Sequence, residues 1–294
     1  MKLMQKAVQD PKDLTFFDQI HTINLQSHFI GELSEDSFEY FGLVEKLFIC
    51  SNQIERLEKS IFKNLAYLNQ LDLNNNKITH IDSNAFASLK NLAVLNLSTN
   101  PIDYIHPSLF KGLIKLDKIF MNNCQIVRLE KGTFESQINL KNLSLTSNLL
   151  EKISFDLFDN CTRLEVINLN SNQIQMIENN FSKKNLNSLQ HLYLGYNKFK
   201  FVSSDTFINI PNLKNLWLNG NELETLADFT FHYLGDLKSL NLSSNKTKFI
   251  CARAFSGLKT LRDMNLADNQ IDGLEATVFS ELVCLVELNL SINR

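Results

Sequence analysis

The chain has 294 residues, with 29 lysines and arginines against 32 aspartates and glutamates and a formal net charge of −3. Acids and bases are interspersed, so no basic footprint for nucleic acid stands out, and a partner other than nucleic acid is expected. No run approaches the apolar length needed to span a bilayer, so no membrane insertion by this segment is expected either.

In chain order, residues 1–18 come first, carrying Lys2, Lys6, Asp10 and Lys12 without an apolar run. They read as an N-terminal flank and not as a secretory leader. Then an asparagine begins to recur: Asn52, Asn76, Asn100, Asn148, Asn172, Asn197, Asn221, Asn245, Asn269 and Asn293. Most steps are 24 residues and Asn172 to Asn197 is 25; Cys124 fills the one vacant slot, and His28 lies one step before Asn52. A period of roughly 20–50 residues marks stacked supersecondary units, none of which buries its apolar face alone.

One unit reads Leu68, Leu71, Leu73, Asn76, Ile78, Ile81, Phe86 and Leu89. The alternation of Leu71, Asp72 and Leu73 is strand logic, apolar residues in and polar ones out. One such strand per turn, stacked on the next, gives a parallel sheet lining a concave face. Each ladder asparagine sits where the chain leaves that strand. Its amide offers two donors and an acceptor to backbone groups that stacking removes from water. Cys124 is small and readily buried and reads as an accepted substitute, whereas His28 suggests a frayed first unit. A phenylalanine marks the return half of each unit: Phe38, Phe62, Phe86, Phe110, Phe134, Phe158, Phe181, Phe207, Phe231, Phe255 and Phe279. Half of the 22 phenylalanines stand in this column, so phenylalanine enrichment is a packing feature.

The pattern L-x-x-L-x-L-x-x-N-x-I-x-x-I-x-x-x-x-F-x-x-L-x-x resembles the leucine-rich repeat family, in the 24-residue version common in extracellular animal proteins. It covers residues 19–294 as eleven full repeats and a truncated twelfth. The fold class implied is an α/β repeat solenoid, a curved horseshoe with a concave parallel sheet and a mostly irregular or short helical convex side. The resemblance implies a non-catalytic protein-recognition module of the Toll-like receptor, chaoptin, Slit or insect immune kind. It would bind a protein ligand or co-receptor on its concave face, with dimerisation of the full-length protein open. Cysteine-rich caps usual in such proteins are not recognisable here, so a piece of a longer extracellular or receptor protein is expected. The alternative is a cytosolic scaffold or regulatory subunit.

Five cysteines, Cys50, Cys124, Cys161, Cys251 and Cys284, share no column on adjacent units and show no C-x-x-C spacing. Neither a disulfide framework nor a zinc site follows, and free thiols favour a reducing compartment. Among the N-x-[ST] sequons, Asn160 and Asn180 on the convex side are the informative pair, because Asn245 belongs to the ladder. The six histidines form no metal or catalytic motif, and no nucleophile elbow or phosphate loop occurs. No enzyme, metal or cofactor is expected.

The outward strand positions are free of the motif, so they carry the ligand information. Most are small or polar. Tyr193 and the single tryptophan, Trp217, fall on adjacent strands, with His191 and Tyr196 beside them and Gly195 and Gly220 leaving room. These four are the candidate ligand-binding residues, since exposed aromatics are enriched at binding hot spots. Phe48 and Phe120 are candidates for a second contact patch.

Overall fold

A computed structural model describes residues 17–178, 186–275 and 277–294. Asn180, Phe181, Lys183 and Lys184 lie outside the described residues. The chain divides into two compact units, Met1–Leu140 and Lys141–Arg294.

In the first unit the strands are β1 (Thr22–Asn24), β2 (Lys46–Phe48), β3 (Arg56–Leu57), β4 (Gln70–Asp72), β5 (His80–Ile81), β6 (Val94–Asn96) and β7 (Lys118–Phe120). The main sheet runs β1-β2-β4-β6-β7, all parallel, and β3 pairs β5 on the return side. In the second unit they are β8 (Asn142–Ser144), β9 (Lys152–Ser154), β10 (Val166–Asn168), β11 (Met176–Glu178), β12 (His191–Tyr193), β13 (Asn215–Trp217), β14 (Thr225–Leu226), β15 (Ser239–Asn241), β16 (Phe249–Ile250), β17 (Asp263–Asn265) and β18 (Glu287–Asn289). Its main sheet runs β8-β10-β12-β13-β15-β17-β18, again parallel. Among the described residues of this unit the return side is mostly turns, as expected, with one 3-10 turn at Phe155–Phe158. Two short parallel pairs, β9 with β11 and β14 with β16, are also found there. The register advances by one repeat at each step, so equivalent residues stack.

Stacking explains the columns. Leu71, Leu73, Leu95, Leu97, Leu216 and Leu218 are fully buried between the sheet and the return chain. Behind them lie the phenylalanines: Phe62, Phe86, Phe110, Phe134, Phe158 and Phe231 have no exposed surface. Successive rings stack nearly parallel at 5.8 to 6.2 Å between centroids, a favourable aromatic separation. Phe279 is only half-buried.

The asparagine ladder does what its amide allows. Asn221 is buried; its Oδ1 accepts the Phe199 N–H at 3.1 Å, and its Nδ2 donates to the carbonyls of Leu194 and Leu218, each at 2.9 Å. The same set recurs at Asn76, Asn172, Asn197, Asn245 and Asn269, so each turn ties its own strand end to the previous turn. Cys124 replaces only half of this. Its Sγ donates to Leu97 and Asn122 carbonyls at 3.6 Å, but it offers no oxygen to the Ile102 N–H, which turns to the Asn100 carbonyl at 2.8 Å instead. His28 is exposed, and its N–H donates to Asn52 Oδ1 at 3.0 Å.

Candidate recognition surface

On β12 and β13 the central leucines, Leu192 and Leu216, point into the core, and their neighbours face outward. The register sets His191 beside Asn215 and Tyr193 beside Trp217. The Tyr193 ring meets the Trp217 indole edge-on, 5.0 Å between centroids at 82°. His191 lies parallel to Tyr193 at 6.4 Å and 8°. Asn215 Nδ2 donates to His191 Nδ1 at 2.7 Å. Partial burial holds the imidazole below its ordinary pKa; the Lys214 ammonium adds to this and the Glu165 carboxylate opposes it. Trp217 keeps 40% of its surface exposed.

Tyr196 enters from the turn after β12. It occupies the position before the ladder residue, where the backbone is left-handed in every turn; Tyr196 has φ 56°, and Ser171, Ser244 and Asp268 hold the same place at 57°, 53° and 55°. Small polar residues or glycine tolerate this conformation, whereas a bulky side chain costs about 1–2 kcal/mol there. Ile292 is the other bulky residue in the column. The Tyr196 ring is 61% exposed and lies over Gly220. A Cβ on Gly220 would come within 2.6 Å of the ring, so only glycine leaves it room.

The residues expected to act together are thus brought together at His191, Tyr193 and Trp217, with Tyr196 on the adjoining turn. Phe48 and Phe120 are not. They lie on β2 and β7 of the first unit, with Asp72 and Asn96 on the strands between. Each is half-buried.

Two features escape a reading by repeat alone. Asn219 is buried, and its Oδ1 has no hydrogen-bond partner. It packs against Gly195, where a Cβ would lie 2.8 Å from that oxygen. The second is a groove of about 240 Å³ running from Trp217 along β15, β17 and β18, with Asn241, Asp263, Asn265, Glu287 and Asn289 in its lining. Its signal was the run of asparagines in one outward column. A separate depression on the first unit, about 380 Å³ near Gln53 and Glu55, is lined by no aromatic side chain.

All five cysteines are free thiols. Burial pushes Cys124 up to about 11 and Cys161 up to about 12, so neither is a ready nucleophile. Burial, with the Asp72 carboxylate, also raises Cys50, which lies next to the main sheet. Cys284 is exposed. Asn160 is half-buried, whereas Asn245 commits its Nδ2 to the ladder and is not a free sequon. Among the described residues no His, Cys, Asp or Glu cluster is arranged to hold a metal, and no helix is long and apolar enough to cross a membrane.

The leucine rich repeat family model matches residues 42–102, 67–126, 162–223, 211–271 and 235–294, well over half of the sequence. The chain belongs to the leucine-rich repeat family, in general a recognition fold. No curated protein matches it. Among solved structures, TLR13 in its complex with ssRNA13 is 24% identical, with 92% of this chain and 43% of that chain covered and a TM-score of 0.79. For the LRIM1/APL1C complex the values are 22%, 95%, 49% and 0.81. For the Toll–Spatzle complex of Drosophila they are 22%, 96%, 43% and 0.76. This chain spans less than half the length of each, and at these identities the likeness carries the fold alone. The expectation that nucleic acid is excluded does not stand: a protein of this fold is seen with RNA, and a net charge of −3 is too small to decide the matter.

Proposed function

We propose that this chain is a non-catalytic recognition module of an extracellular or receptor leucine-rich repeat protein, of the innate-immune or signalling kind. It binds a protein ligand or co-receptor on the open, concave face of the second unit through His191, Tyr193, Tyr196 and Trp217. The observation that carries this reading is the Tyr193–Trp217 pair, a large aromatic surface held rigidly by its own strands yet left open to solvent. Rigid, exposed aromatics lose little entropy on binding and bury much area. Protein partners in the LRIM1/APL1C and Toll–Spatzle structures support the partner class.

The test is a partner recovered with the full chain, then measured against variants. Trp217→Ala is expected to cost ~2 kcal/mol of binding, about thirtyfold in affinity, with Tyr193→Ala close behind. Lys46→Ala, on an exposed position of β2, is expected to bind as the parent does. Normal binding by both aromatic variants overturns the reading. The five free thiols support a second reading, a cytosolic scaffold. A glycan found on Asn160 or Asn180 of the native protein would dispose of that alternative.

A further inference from the structure

We infer that the groove beyond Trp217 takes a basic, extended polypeptide segment of the partner, with one lysine or arginine side chain against the Trp217 ring and another between the carboxylates of Asp263 and Glu287. The inference rests on the concave-face reading above and adds the chemistry of what is bound.

Charge is the first reason. Asp263 and Glu287 are register partners on β17 and β18 and both are exposed. Like charges directly opposite on neighbouring strands repel. Among the described residues neither carboxylate is in an ion pair, and Arg262, next to Asp263 in sequence, bridges to neither. A cation placed between the two would remove the repulsion. The second reason is the floor of the groove. Asn241, Asn265 and Asn289 stack in one column, and each Oδ1 accepts the backbone N–H two residues on, at 3.0 Å in every case. Those bonds fix which end of each amide is oxygen, because only the oxygen can accept. The Nδ2 groups are left as donors without a bond among the described residues. Three donors on successive strands suit the carbonyls of an extended chain. The wall supplies the third reason: the exposed Trp217 indole, nearly perpendicular to the Tyr193 ring, lines the groove and is an aromatic surface that attracts a cation. A neutral glycan could use the amides and the indole but has no need of two carboxylates. A nucleic acid would meet them with its phosphates.

Trp217 is the only tryptophan in the chain, so its fluorescence reports on the groove directly. The full chain is titrated with a decapeptide of alternating arginine and alanine, its glutamate–alanine counterpart, a neutral oligosaccharide and an oligouridylate. A saturable change is expected with the arginine peptide alone, weakened by added salt. Asp263→Asn with Glu287→Gln, isosteric and on exposed side chains, is expected to weaken it roughly five- to tenfold. No response to the arginine peptide, unchanged binding by the double variant, or preference for another probe overturns the inference. With the native partner, the double variant and Trp217→Ala separate the two levels. Loss in Trp217→Ala but not in the double variant keeps the concave surface and removes the basic segment. Loss in neither removes both.

Discussion

Leu216 and Trp217 are neighbours on one three-residue strand, yet one has no exposed surface and the other keeps 40% of its own. The interior and the open face of the second unit are written on alternate residues of the same strands. Inward, the described turns repeat leucine or a close apolar equivalent such as Ile167 and Met264, the ladder asparagine and the phenylalanine, because each must fit against a near-identical neighbour. Outward, the column changes from Asn168 to Tyr193, Trp217 and Asn241 with nothing in the stacking to require it. Stability should therefore follow the inward columns and recognition the outward ones, and the two should separate under mutation.

The strongest way to break that separation is Phe231→Ala. The ring is fully buried between Phe207 and Phe255, stacked on each at 6.2 Å. Its removal is expected to cost about 3–5 kcal/mol, read by denaturant unfolding. In a solenoid the loss should be greatest in the neighbouring turns, which hydrogen exchange resolves turn by turn. The variant that remains folded should still bind the partner; a thirtyfold loss there, equal to that of Trp217→Ala, would mean the two faces are not independent.

Asn221→Ala comes next. It strands the Phe199 N–H and the Leu194 and Leu218 carbonyls inside the protein, and about 2–4 kcal/mol is expected from several unmet groups of ~1–3 kcal/mol each. Cys124 shows how the chain already tolerates part of this loss, by rerouting one amide to Asn100. If Asn221→Ala cost no more than ~1 kcal/mol, such rerouting would be general and the ladder would matter less than its regularity implies.

The repeat, the sheet order and the Tyr193–Trp217 neighbourhood were legible in the sequence, because stacking turns a spacing of 24 or 25 residues directly into adjacency. What was not legible depends on which of two acceptors wins a given N–H. The Ser243 amide goes to Asn241 Oδ1, and Asn219 Oδ1 is left alone. Column position says nothing of that competition. Ser144, a polar residue on an outward position of β8, is only 8% exposed, so side-chain depth within a column was hidden as well. The two- and three-residue return strands are too short to leave a periodic signal.

His191 offers the smallest effect and the finest test of how the open face is held. Since Asn215 Nδ2 can only donate, Nδ1 of His191 accepts, and the neutral ring carries its proton on Nε2. Protonating Nδ1 removes that acceptor. Burial first, and the Lys214 charge second, hold the folded pKa below the ordinary value of 6.5. The unfolded chain therefore takes up this proton at higher pH than the folded one does. The contribution to stability is complete above 6.5 and is lost as pH falls through the folded pKa. Thermal unfolding of the parent and of His191→Gln, compared from pH 7.5 down to 5, should show a slightly steeper acid loss in the parent. An NMR titration should place the imidazole pKa below 6.5. Because the ring lies parallel to Tyr193, partner binding should weaken over the same window. An imidazole titrating above 6.5, with binding indifferent to pH, would mean that His191 does not hold Tyr193 in place and that the Tyr193–Trp217 pair is positioned by its strands alone.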